Sequence, residues 1–234
     1  MDSLVAIAIH DAKNSLNALG VWLAEARHEF SDKASFPTDA SSPALANATA
    51  ITARLTGQLV ELLALYRAGD GTLRLAIEDH CLGEFLRDVL VELSSSSLLE
   101  SQIAVETDFS TADEIGDWAF DAYQVKFILL DGLRNALRHA AQQVRFSLAT
   151  HTEGGIVFRI EDYGPGFPPE MLRDVDANGT GEGKAMNAGS SGLGLSFARL
   201  IAGRHATVAG RHGSLELAND GLGKNGARFS LILP

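Results

Sequence analysis

Val157-Phe158-Arg159-Ile160-Glu161-Asp162-Tyr163-Gly164-Pro165-Gly166 joins an apolar run to an aspartate and two spaced glycines. The β-branched and aromatic residues before Asp162 predict a strand over Ile156–Glu161. Asp162-x-Gly164-x-Gly166 then turns the chain out of that strand. Glycines without a Cβ permit the close backbone approach that a flat ring requires. The neighbouring carboxylate can accept a hydrogen bond from an amino group such as that of adenine. A plain turn after a strand has the same composition, because Gly-Pro-Gly turns are common.

Strands and helices are mixed on either side of this turn. Strand-like runs cover Leu73–Glu78, Gln102–Thr107, Gln143–Ala149, Ser214–Asn219 and Ala227–Leu233; helical runs cover Leu82–Leu99, Asp121–Ala141 and Leu193–His205. That mixture predicts a two-layer α/β sandwich. Asn135 lies in the second helix, and an amide oxygen is a neutral hard ligand suited to Mg²⁺. Asp131, Asn135 and Arg138 or His139 share one face by spacing. Taken alone, such an asparagine is an ordinary polar surface residue. The segment Asp174–Ser191 is dense in small residues and has few apolar anchors, the composition of a lid over a ligand. Gly192-Leu193-Gly194 opens a helix whose free N–H groups can receive phosphate oxygens. Sixteen of the 23 glycines fall between Gly154 and Gly226, where this ligand would sit.

The first seventy residues carry a different pattern. Ile9, Ala12, Leu16, Leu19, Leu23, Ala26 and Phe30 recur at spacings of three and four, as do Leu45, Ala48, Thr52, Leu55, Leu59, Leu62 and Tyr66. Turn and cap residues from Ser31 to Pro43 separate the two runs, predicting a helical hairpin. Two helices alone cannot cover apolar stripes this wide. A second copy completes a four-helix bundle; packing against the rest of the same chain is the alternative. His10 follows Ile9 and so points about 100° away from the seam. Asp11 can hold one ring nitrogen as N–H and leave the other lone pair free to attack phosphorus. Lys13 lies one turn along to meet phosphate charge, and Asn14, on the face of His10, can orient a water. An exposed histidine among ordinary polar helix residues reads the same way locally.

Composition narrows the classes. A net charge of −11 and a pI near 5.0 argue against nucleic-acid binding, which needs a basic face. The single cysteine, Cys81, excludes an internal disulfide framework. No apolar run is long enough to span a bilayer, and the start lacks a basic region with a cleavage site, so the expected location is cytoplasmic with no membrane partner. Nine residues precede His10, so a signal is expected to come from a separate sensor protein or from a missing part of the native product.

His10, Asp11 and Asn14 on a seam helix, followed by Asn135, Asp162 and the glycine boxes, together resemble the sensor histidine kinase core of two-component signalling. The resemblance covers nearly the whole chain. The second part is similar to the GHKL nucleotide fold shared by gyrase, Hsp90-type chaperones, histidine kinases and MutL repair proteins. It implies an α+β protein: a helical hairpin over 1–69 forming a dimeric four-helix bundle, then an ATP-binding catalytic domain over 72–234. It also implies the cofactors ATP and Mg²⁺. Asn135 matches the Mg²⁺-binding asparagine, Arg138 and His139 the positions after it, and Asp162 the adenine-binding aspartate. Gly164, Gly166, Gly192, Leu193 and Gly194 match the glycine boxes. Asp131 and Ala227 depart from the pattern, standing where asparagine and threonine are usual. The implied function is autophosphorylation of His10 and transfer to an aspartate on a response regulator receiver domain, with phosphatase action on that regulator as a further role. The alternatives are a histidine phosphotransfer protein with a degenerate ATP-binding domain and a GHKL ATPase or serine kinase.

Overall fold

A computed structural model describes residues 11, 12, 14, 15, 18, 19, 21, 22, 43–69, 71–94, 103–152, 154–173 and 193–234. The chain divides into two compact units, Met1–Leu73 with Met186–Gly194, and Arg74–Ala185 with Leu195–Pro234. Among the described residues no helix is long and apolar enough to cross a membrane.

In the first unit the described residues between 11 and 22 are helical, and α1 spans Pro43–Gly69. The buried Ser15 hydroxyl donates to the buried Gln58 Oε1 at 3.4 Å, tying the two helical segments together. The single seam expected along α1 is divided. Ala48 and Ala64 are buried beside Gln58 and Glu61, whereas Leu59, Leu63 and Tyr66 are 57%, 48% and 58% exposed. One chain leaves that part of the stripe uncovered.

The second unit is a five-stranded mixed sheet with helices against one face. In chain order it contains β1 (Glu78–Cys81), α2 (Leu82–Ser94), β2 (Ala104–Asp108), α3 (Ala112–Ile115), β3 (Asp117–Phe120), α4 (Ala122–His139), β4 (Gln143–Thr150), β5 (Ile156–Asp162), α5 (Pro169–Arg173), α6 (Leu193–Arg204), β6 (Ser214–Ala218) and β7 (Arg228–Leu233). The sheet order is β2-β4-β5-β7-β6; β2 runs parallel to β4 and the other pairs are antiparallel. β1 and β3 form a separate antiparallel pair. Alternation decides the faces: Val144, Phe146 and Leu148 on β4, with Phe158 and Ile160 on β5, are all buried. Phe85 of α2 stacks edge-on against Phe120 and Phe158, with centroids 4.8 and 5.9 Å apart. A Cβ at Gly132 would meet Ile160 Cδ1 at 2.9 Å, so glycine lets α4 lie close on the sheet.

The run Leu73–Glu78, expected as a strand, begins one only at Glu78. The Arg67 carbonyl takes the N–H groups of Thr72 and Leu73, and the Ala76 N–H donates to Asp121 Oδ2 at 2.9 Å rather than to a strand. Asp121 is a junction. Its Oδ1 caps α4 at the Gln124 N–H, and its own N–H donates to His205 Nε2 at 3.0 Å. His205 is buried, and its Nδ1–H donates to the Ile201 carbonyl at 2.8 Å, which fixes the neutral tautomer. Burial pushes its pKa below the usual 6.5, against the Ile201 carbonyl and the Asp121 charge, which favour the cation.

Candidate functional site

Asp162 is the last residue of β5 and is buried. Its Oδ1 accepts from the Gly164 N–H at 2.7 Å and from the Ala227 N–H at 3.1 Å. Among the described residues Oδ2 accepts no hydrogen bond, so one oxygen holds the turn while the other is left for an outside donor. The surrounding backbone is packed too tightly for side chains. A Cβ at Gly164 would stand 2.7 Å from Asp162 Oδ1 and 3.1 Å from the His139 carbonyl, and one at Gly226 would stand 1.9 Å from the Asp162 carbonyl. Gly166 turns with φ +78°, a conformation that favours glycine.

The end of α4 adjoins this turn. The Ala141 N–H donates to the Tyr163 carbonyl at 3.0 Å, and the Tyr163 N–H to the Gln143 carbonyl at 3.2 Å. One turn back along the helix, Asn135 Nδ2 donates to Asp131 Oδ2 at 3.1 Å, and Arg138 Nη1 donates to Asn135 Oδ1 at 3.1 Å. The three residues expected to share a face therefore form a hydrogen-bonded row. Asp131 fixes which way the Asn135 amide points. His139 is exposed beside Arg138 in the last helical turn, where positive charge complements the helix dipole.

Asp11 is half-buried and Asn14 exposed, both helical; His10 and Lys13 lie outside the described residues. Gly192 and the glycine-rich segment before it also lie outside them, while Leu193 and Gly194 open α6. Residues 206–212 form a turn closed by an Ala206–His212 bridge. The β6–β7 loop also builds the site, a part that the residue pattern does not mark. The Ala227 and Leu222 N–H groups reach Asp162, and Asn219 reaches Phe167. Backbone donors carry no residue signature; an asparagine closing a strand ahead of a glycine-rich loop was the only local cue. Among the described residues no cluster of three or more His, Cys, Asp or Glu side chains could hold a metal ion.

Residues 120–234 match the family of histidine kinase-, DNA gyrase B- and HSP90-like ATPases. Over 193 residues the sequence is 30% identical to the signal transduction histidine-protein kinase AfsQ2 of Streptomyces coelicolor, a match covering 82% of this chain and 33% of that protein. The chain thus spans about a third of the length of that relative. Among solved structures, the histidine kinase AdeS of Acinetobacter baumannii superposes with a TM-score of 0.63 at 17% identity, covering 96% of each chain. ShkA, solved at full length in complex with AMPPNP, superposes with a TM-score of 0.59 at 20% identity, covering 100% of this chain and 45% of that one. At such identities the likeness is one of fold, and the fold of the second unit is that of the GHKL ATPases.

Proposed function

We propose that the chain is an ATP-dependent histidine kinase, its residues 120–234 forming a sensor histidine kinase catalytic domain like those of the histidine kinase-, DNA gyrase B- and HSP90-like ATPases. The observation that carries the reading is the divided work of the Asp162 carboxylate. Two backbone donors hold Oδ1, and Oδ2 is left to accept from the 6-amino group of adenine. Asn135 offers a neutral amide oxygen, a hard donor suited to Mg²⁺, and Asp131, taking its Nδ2–H, fixes the amide's orientation. Mg²⁺, when bound there, supplies neutralisation of phosphate charge. Arg138, already oriented on Asn135, brings a fixed positive charge to the same row.

In this reading a ring nitrogen of His10 attacks the γ-phosphorus of ATP. The N–P bond forms as the bond to the β–γ bridging oxygen breaks, ADP leaves, and the second ring nitrogen keeps its proton against Asp11. Positioning supplies much of the catalysis of such a transfer. The phosphoryl group then passes to an aspartate on a response regulator receiver domain, and Asn14 orients the water that attacks the phosphorus of that acyl phosphate in the phosphatase reaction, which frees inorganic phosphate and restores the aspartate. Leu59, Leu63 and Tyr66, exposed at spacings of four and three on α1, support a homodimer through the helical stem. Calorimetry with a non-hydrolysable ATP analogue and Mg²⁺ tests the reading. Saturable binding is expected; no binding would leave a phosphotransfer protein without ATP chemistry.

A further inference from the structure

Asn219 follows the last residue of β6, and its side chain grips both main-chain groups of Phe167, 52 residues away in sequence. Oδ1 accepts from the Phe167 N–H at 2.7 Å, and Nδ2 donates to the Phe167 carbonyl at 2.9 Å. Phe167 lies beyond β5 and outside the sheet ladder, so the amide stands in for a neighbouring strand. The fit is close. A Cβ at Gly166 would come within 2.7 Å of the Asn219 carboxamide and 2.6 Å of the Asn225 carbonyl. Backbone bonds hold the start of the turn at Tyr163, and beyond it side chains pin the turn at Gly164 by Asp162 Oδ1 and at Phe167 by Asn219.

We propose that Asn219 is a positioning residue for the nucleotide, holding the Asp162–Phe167 turn in the shape that leaves Asp162 Oδ2 open to the base. The inference rests on the reading of Asp162 as the base acceptor. Without Asn219 the far end of the turn, beyond Gly164, would sample other shapes, and its ordering would then be charged against binding. The phosphate end of the ligand is recognised elsewhere, so the loss falls on affinity and not on the rate from the bound state.

The test uses the full chain with two substitutions. Asn219→Ala removes both contacts. Asn219→Asp keeps size and the acceptor for the Phe167 N–H, but sets a carboxylate oxygen against the Phe167 carbonyl. Calorimetry with adenosine and with a non-hydrolysable ATP analogue is combined with initial rates of autophosphorylation and amide exchange at Phe167. In both variants the Kd for either ligand and the KM for ATP are expected to rise about tenfold. The maximal rate should stay within about twofold, and the Phe167 amide should exchange faster. Faster exchange at Phe167 with unchanged Kd values overturns the proposal, as does a fallen maximal rate at unchanged KM. If the unsubstituted chain binds neither ligand, the reading of Asp162 falls first and this proposal with it.

Discussion

Replacing Asp162 by asparagine separates its two roles without changing its shape. The two backbone N–H groups on Oδ1, from Gly164 at 2.7 Å and Ala227 at 3.1 Å, dictate how an amide must sit. The amide oxygen has to face those two donors, because the flipped rotamer sets its NH₂ against both of them with no acceptor. The NH₂ group then occupies the place of Oδ2 and opposes the 6-amino group of adenine. Loss of one charge-assisted hydrogen bond costs about 2 kcal/mol, or about thirtyfold in Kd for ATP. The new donor matches a 6-oxo base, so ITP should be bound in preference to ATP. Folding should survive, since both pins on the turn persist as neutral bonds, at a cost of about 1 kcal/mol. Calorimetric titration of Asp162→Asn with ATP and ITP, beside a thermal melt, decides the matter. An unchanged ATP affinity in a folded variant would refute the assignment of Oδ2 to the base.

His205 makes stability depend on pH with a definite sign. Its folded pKa is depressed by burial below the ordinary 6.5, so the folded chain binds fewer protons. Its contribution is complete above about pH 6.5 and is lost as the pH falls below that toward the folded value, with a slope of at most about 1.4 kcal/mol per pH unit. Urea midpoints from pH 8 to 5 should show that slope in the natural chain and lose it in His205→Gln; equal slopes would remove His205 as its source. Asn14→Ala should keep autophosphorylation and transfer to the receiver domain but lengthen the lifetime of the regulator's acyl phosphate with ADP present. Equal lifetimes would leave Asn14 a solvated helix residue.

The central strands and the site turn were legible because period-2 alternation and glycine spacing are local signals. β4, β5, β6 and β7 lie within a residue or two of where the pattern puts them. β3 was invisible: Asp117-Trp118-Ala119-Phe120 is four residues long and pairs only with the polar Glu78–Cys81. Leu73, Leu75 and Ile77 read as a strand by composition, yet Ala76 spends its N–H on the Asp121 carboxylate. In the stem, spacing identified a helix but not its faces. Gln58 and Glu61 are buried where Leu59 and Tyr66 were expected, and burial of polar groups depends on partners that no periodicity encodes. Asp162 and Asn135 could be singled out by residue type in a patterned element. Ala227 stood out only as a departure from the family pattern, since it acts through its backbone N–H, and Asn219 not at all, since its contact lies 52 residues away.

Phosphorylation of His10 by ATP is tested by incubating the chain with γ-labelled ATP and Mg²⁺, followed by acid and alkali treatment. The label is expected to be removed by acid and spared by alkali, because phosphohistidine has that stability. His10→Gln is expected to take no label while still binding a non-hydrolysable ATP analogue. An acid-stable label, or an acid-labile one that persists in His10→Gln, would rule out His10 as the acceptor.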